Sequence, residues 1–305
     1  MAEYKVKDFF EGMDGIAPFA HIDPGDNSGL IVGDANDAVT HVLTALDISM
    51  EVVAEAVRKK CSLIISHHPV IYNPLYTLST SNPAGYALAN GIACICSHSP
   101  LDMADGGIND IIYDMLKEPL GLSEKLKTLE PVHADGRGYG MICNCSKELY
   151  PDELAALLKK LFRCTVVRYT DAGVPVKRIA FCSGGGGKLY ADAFKLGCDA
   201  YVSGDFKHDQ FVYANNMGIS VYDCGHFHTE DIVIPYITKR LSEMFPEVRI
   251  EQAEADVDPV NYISALLSRF TFQQKHMLLT ALNQHFNSFN GFFNRLYNTK
   301  KSDGI

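Results

Sequence analysis

AEAVRKKCSLIISH, residues Ala54 to His67, passes from an amphipathic helical stretch into a short β-branched strand, and the chain makes that passage twice. The second instance is ADAFKLGCDAYVSG, Ala191 to Gly204. Downstream, GIACICSH (Gly91 to His98) is matched by GISVYDCGH (Gly218 to His226), with one residue inserted. Upstream, VTHVLTAL (Val39 to Leu46) sits where VKRIAFCS (Val176 to Ser183) sits in the second half. Both halves read strand, helix, strand, helix, strand, which makes the fold α/β. A true internal repeat and the ordinary grammar of βαβ units produce the same likeness. Either way, polar residues follow the strand ends, where open α/β sheets build their sites.

Periodicity fills in the frame. Strands are predicted at Val39 to Leu46, Leu63 to Ile65 and Ile92 to Cys96, and helices at Glu51 to Lys59, Ala84 to Asn90 and Asn109 to Lys117. The second half gives strands at Arg178 to Cys182, Ala200 to Val202 and Ile219 to Tyr222. Its helices are predicted at Leu189 to Leu196, Asp209 to Met217 and Asp231 to Met244. Between the halves, Leu120 to Arg137 reads as a connection, and Met141 to Arg168 as strand, helix (Asp152 to Phe162), strand. After Asp258-Pro259 the character changes to a helical pattern rich in phenylalanine, so 259–305 is expected to be a helical C-terminal extension. Phe270, Phe272, Phe286, Phe289, Phe292 and Phe293 would bury about 150–250 Å² each. They are expected to pack on the body of the chain or on a neighbouring subunit.

Composition narrows the function. A chain of 305 residues with 47% hydrophobic content is long enough for one large or two medium domains with a real core. A net charge of -10 argues against a general nucleic-acid binder, which needs a basic face. Carboxylates are, however, ligands for hard cations. Nine cysteines, an odd count without any CxxC pair, read as buried free thiols of a reducing compartment. No apolar run approaches ~20 residues, and the acidic N-terminus lacks the apolar segment of a signal peptide. A cytoplasmic protein without a membrane association is the expectation.

Three strand ends carry the residues for chemistry. LIISHHPVIYNP (Leu63 to Pro74) sets His67 and His68 at a strand terminus. Consecutive side chains on a continuing strand face opposite ways. Pro69 restricts His68 and predicts a bend that turns both rings toward one cavity, although a solvated loop would hold the same pair. ICSHSPLDMADGGIND (Ile95 to Asp110) adds Asp102 as a ligand candidate, with His98 as a ligand or as a partner that orients one. A turn with a helix cap is the plainer alternative here, and it suits Asp105 or Asn109 better than Asp102. VYDCGHFHTED (Val221 to Asp231) adds His226 and Glu230, which share a face if the turn winds helically. Thr229 as an N-cap, with Glu230 and Asp231 in the first turn, is the structural alternative.

Taken together, imidazole and carboxylate donors without thiolates suit Zn, Fe, Mn, Co or Ni. Five or six donors exceed what one catalytic zinc needs. Two ions with a bridging carboxylate are therefore expected, such pairs sitting roughly 3.5–4 Å apart. SGGGGKL (Ser183 to Leu189) lacks the spaced first glycine and the Ser/Thr after Lys188 of a Walker A loop. Close helix–sheet approach or a cavity floor is its predicted role, with phosphate contact the lesser alternative. SGDFKHDQ (Ser203 to Gln210) brings Asp205, Lys207 and His208 to a further strand end, Asp205 as a helix cap and His208 as an exposed side chain, or one of the three as a group facing a substrate. His98, Asp205 and His208 are the candidate catalytic residues.

Read together, DNSGLIVG (Asp26 to Gly33), LIISHHPVIYNPL, SHSPLD, CSGGGG, YVSGDFKH and GHFHTE resemble the NIF-three-like family, whose members are often labelled GTP cyclohydrolase I type 2 homologues. The likeness runs from about Tyr4 to about Glu251. The family's paired histidines fall on His67 and His68, its HxxxD aspartate on Asp102, and its GHxxTE pair on His226 and Glu230. The resemblance implies two metal ions per chain, facing the internal cavity of a toroidal homohexamer. It implies a hydrolase or GTP cyclohydrolase-like activity on a nucleotide or a phosphorylated small molecule. It also implies two α/β domains, a discontinuous metal-binding one (1–125 with about 226–258) and a second (126–225). The large domain that some relatives carry between the halves is absent, so functions tied to it do not carry over. The competing reading is a non-catalytic protein that stores, delivers or senses metal ions.

Overall fold

The computed structural model describes residues 4–263. The chain opens with α1 (Val6–Ile16) and β1 (Gly29–Val32), then runs β2 (His41–Ala45), α2 (Met50–Lys59), β3 (Leu63–Ser66), α3 (Pro83–Ala89), β4 (Ala93–Cys96), α4 (Ser99–Met103) and α5 (Ile108–Leu120). It continues through β5 (Lys127–Pro131), β6 (Gly138–Leu149), α6 (Pro151–Leu161), β7 (Arg168–Tyr169), β8 (Val176–Phe181), α7 (Tyr190–Lys195), β9 (Ala200–Ser203), α8 (His208–Met217) and β10 (Ser220–Asp223). α9 (His226–Glu230), α10 (Ile234–Met244) and β11 (Arg249–Gln252) complete it.

Two mixed sheets result, ordered β1-β4-β3-β2-β11 and β5-β6-β8-β9-β10-β7. In the first, β2, β3, β4 and β11 are parallel, and β1 lies antiparallel on β4. In the second, β8, β9 and β10 are parallel, flanked by antiparallel β6 and β7. The echo in the sequence is thus repeated in space. Each half lays down three neighbouring parallel strands joined by two helical crossovers.

Strand periodicity explains why both faces of each sheet are covered. Leu63 and Ile65 of β3 enter one core, shared with Ile179 and Phe181 of β8, while Ile64 between them faces another. The shared core joins one face of both sheets to α1, α5, α6 and α10. Separate clusters fill the opposite faces, Leu43 and Ile64 with Val53 of α2 on the first sheet and Tyr201 and Val221 with Ala214 of α8 on the second. Burial on both faces is why these strands read as unbroken apolar runs rather than as an alternation.

The stretch Leu120 to Arg137 is more than a connection, since it contains β5, paired antiparallel with β6. β5 is an edge strand that buries Leu129 alone, with Lys127 and Pro131 exposed. A polar edge leaves no apolar run to detect. The turn before α7 and the one before α10 are 3-10 helical (Gly186–Leu189 and Asp231–Val233), so both α-helices begin later than periodicity predicts. All nine cysteines are free, and all but Cys145 are buried. Among the described residues no helix is long and apolar enough to cross a membrane. Residues 259–305 form a unit of their own, in which Pro259 to Ile263 carry neither helix nor strand. The helical reading of the rest of that extension lies outside the described residues.

Candidate metal centre

The parallel strands of both sheets deliver their carboxyl-terminal ends to one place. Past β3 the ladder continues for two residues, the amides of His67 and His68 donating to the carbonyls of Ala45 and Leu46. Ser66 Oγ then donates to the His68 carbonyl at 2.6 Å and closes a turn ahead of Pro69. The bend brings the two rings together, with centroids 4.8 Å apart. His98, just past β4, lies 5.1 Å from the His67 ring, and His226, just past β10, lies 5.2 Å from the His68 ring.

Each of the four imidazoles is tied down through Nδ1 to a group that can only accept. His67 donates to the Ser97 carbonyl at 3.0 Å, His68 to Asp47 at 2.9 Å, His98 to Asp26 at 2.8 Å and His226 to Asp205 at 2.7 Å. These bonds fix which nitrogen carries the ring proton and leave Nε2 for a ligand, the arrangement in which proteins hold metal-binding histidines.

The carboxylates meet those nitrogens. Glu230 Oε2 is 2.9 Å from Nε2 of both His68 and His226, and its Oε1 is 3.7 Å from Nε2 of His67. Asp102 Oδ1 is 3.9 Å from the same His67 atom and accepts from Ser183 Oγ at 3.1 Å. Three groups therefore have the reach to hold a cation: His67 with Asp102 and Glu230, His68 with His226 and Glu230, and His67 with His68 and His98.

Two features show that these residues fit a metal. His67 is fully buried, yet its Nε2 has no hydrogen-bond partner among the described residues while facing two carboxylates. A buried polar atom in that state is costly unless something binds it. The charges point the same way. Burial pushes the Asp102 carboxyl up, more than His67 offsets. Burial pushes Glu230 up too, but His67, His226 and His68 outweigh it and hold that carboxyl well below the usual range. Burial would lower His68 and His226, but Asp47 with Glu230 raises the first to about 9, and Asp205 with Glu230 raises the second to about 10. The shifts favour a proton on these imidazoles and on Asp102, and a cation would satisfy the same oxygens and nitrogens.

The glycine run supplies the floor. Gly184 adopts φ +54, and a Cβ there would stand 1.9 Å from Glu230 Oε1. Its amide donates to Thr229 Oγ1 at 3.0 Å, which holds the loop against the helix that carries His226 and Glu230. Thr229 lies inside α9 and caps nothing. A cavity of about 300 Å³ opens beside the cluster, lined by His98, Asp102, His226 and Glu230 among others.

The sequence profile described as Duf34/NIF3 (NGG1p interacting factor 3) matches residues 4–259. The chain belongs to the Duf34/NIF3 family. It is 29% identical over 265 residues to a GTP cyclohydrolase 1 type 2 homolog of Clostridium perfringens, which covers 85% of this chain and 100% of that one. A GTP cyclohydrolase 1 type 2 homolog of Streptococcus pneumoniae is 31% identical over 252 residues, covering 78% and 92% of the two chains. The crystal structure of a Bacillus cereus protein related to NIF3 shares the fold, with TM-score 0.77, 20% identity and coverage of 86% of this chain and 100% of that one.

In this Duf34/NIF3 protein the residues singled out in the sequence do not all converge. His67, His68, Asp102, His226, Glu230 and His98 share one cluster. Asp205 makes no helix cap, for α8 is preceded by Lys207, and its carboxylate goes to His226 instead. His208 is exposed at the start of α8 and joins none of these contacts. Sequence reasoning missed Asp47 and the full role of Asp26. Asp26 accepts from His98, Ser28 and Ser99, which outweigh burial and hold its carboxyl well below the usual range. Asp47 lies just past the end of β2, so the strand-end rule would have found it. Asp47→Ala is expected to weaken metal binding by ~10–100-fold without abolishing it, since it orients His68 rather than touching the ion. Competition with a chelating dye reads that difference, and an unchanged affinity would contradict the orienting role.

Proposed function

We propose that this cluster holds two divalent transition-metal ions (Zn, Fe, Mn, Co or Ni), one on His67, Asp102 and Glu230 and the other on His68, His226 and Glu230. The protein is then a metal-dependent hydrolase of a nucleotide or phosphoester. The observation that carries the reading is the position of Glu230, whose Oε1 faces His67 while its Oε2 meets His68 and His226. One carboxylate thus belongs to two donor groups. When bound, a pair of such ions supplies a water nucleophile at neutral pH and stabilises charge on the leaving oxygen. The chain's own part is to orient the donors through Ser97, Asp47 and Asp205, and to keep a cavity open beside them. That opening favours catalysis over storage, for an ion held in store has no need of an adjoining chamber.

The name carried by the Clostridium and Streptococcus relatives puts guanosine nucleotides first among the substrates to try. A toroidal homohexamer in the cytoplasm belongs to the same proposal. It is supported by an exposed apolar loop next to the site, with Tyr72, Tyr76 and Leu78 on it, and by nine free thiols. The test is a screen of metal-loaded protein against nucleotides and phosphoesters, with Asp102→Ala as the control. Turnover that depends on added metal and disappears in Asp102→Ala supports the hydrolase. Full metal occupancy with no turnover on any of them leaves a non-catalytic metal-binding protein.

A further inference from the structure

Lys188 and Gly185 are the part of SGGGGKL that neither the fold nor the metal centre uses. Gly184 makes room for Glu230. A Cβ on Gly186 would stand 2.7 Å from Ser203 Oγ, and one on Gly187 would stand 3.1 Å from the Gly204 carbonyl oxygen. Gly185 answers no such demand. Its φ is -76, open to any residue, and a Cβ would meet nothing nearer than His226 Cε1 at 3.7 Å. What a side chain would take is space beside His226 and, at 3.8 Å, the Asp205 Oδ2 atom that is hydrogen-bonded to it, on the wall of the cavity of about 300 Å³.

Lys188 lines the same wall and is the only lysine or arginine that does among the described residues. It is exposed and makes no ion pair among the described residues. In the adjoining larger cavity Lys125 pairs with Asp110 at 2.6 Å and Arg137 with Asp105 at 3.0 Å, while the exposed Lys127 lines that cavity and not this one. In a chain of net charge -10, an ammonium that shares this cavity with Asp23 and Glu130 yet pairs with neither is available to an anion from outside.

We propose that Lys188 and the open face of Gly185 form an anion subsite that takes a phosphate group and presents the rest of a phosphorylated substrate to the neighbouring histidine and carboxylate cluster. A lysine ammonium serves phosphate as a point charge. A residue without Cβ lets the anion approach the backbone. The subsite rests on the hydrolase reading for the chemistry it serves, and its role is positioning rather than bond-breaking.

The test titrates inorganic phosphate into the full-length, metal-loaded protein by calorimetry, with the metal content of every sample measured by elemental analysis. Lys188→Gln is expected to weaken phosphate binding by about tenfold or more, the loss of a charge-assisted contact. Lys188→Arg is expected to keep it within about threefold, since the charge is retained. Gly185→Ala weakens it while melting with the wild type. Equal affinity in the wild type and Lys188→Gln overturns the subsite, as does a wild type that binds no phosphate at millimolar concentrations. Phosphate binding that depends on Lys188 in a protein holding no transition metal keeps the subsite and removes the hydrolase reading. Bound metal with phosphate binding indifferent to Lys188 does the reverse.

Discussion

Glu230→Ala is expected to leave the protein with no tightly held transition metal, and Asp102→Ala to leave it with one ion of two. The difference follows from geometry. Of these histidines Asp102 pairs with His67 alone, at 3.9 Å, whereas the two oxygens of Glu230 face His67 on one side and His68 with His226 on the other. Without Glu230 the second group is two imidazoles with no carboxylate left to touch a dication, since Asp47 and Asp205 sit behind their Nδ1 atoms. That imbalance costs several kcal/mol per uncompensated ion. Without Asp102 the His68, His226 and Glu230 group is untouched. Elemental analysis of the purified variants after dialysis decides between these outcomes. Equal metal in both variants would refute the sharing of Glu230. The double variant His67→Ala/His68→Ala takes one donor from each group, and retention of both ions in it would sink the assignment of the ligands altogether.

These candidate ligands are legible in the sequence because each follows a buried strand. β3, β4 and β10 are buried along their whole length, so LIIS, ACIC and SVYD stand out and the polar residues after them are set off. What orients the ligands was less legible. Asp26 meets His98 from across 72 residues, and no periodicity links them. The acceptor for His67 is a backbone carbonyl, that of Ser97, which leaves no mark on composition at all. Asp205 reads equally as a helix cap, because an aspartate ahead of a helix looks like one until the fold carries His226 to within 2.7 Å of it. The edge strand β5 escaped for the opposite reason, having almost nothing apolar to show. Local patterns report what a segment buries; they do not report which distant segment it meets.

Gly184→Ala is expected to damage both the fold and the metal centre. Its φ of +54 lies in the left-handed region, which costs a residue with a Cβ roughly 1–2 kcal/mol. The added methyl would stand 1.9 Å from Glu230 Oε1 and 2.7 Å from its Cδ, so something must move. Overpacking of this kind typically costs about 1–3 kcal/mol. Neither side has slack: the Gly184 carbonyl accepts from the Gly204 amide at 2.9 Å, and its amide donates to Thr229 Oγ1 within the helix that carries Glu230. The glutamate is the freer partner, and its displacement moves the carboxylate that both donor groups share. The expected result is a melting temperature lower by roughly 5–15 °C, from a ΔΔG of a few kcal/mol, together with loss of most of the bound metal. Gly185→Ala is the matched control, one residue along, where φ is ordinary and the nearest atom is 3.7 Å away. It should melt with the wild type and keep its ions. A Gly184→Ala protein that does the same would mean that Glu230 is not held against the loop, and the shared carboxylate would lose its structural support.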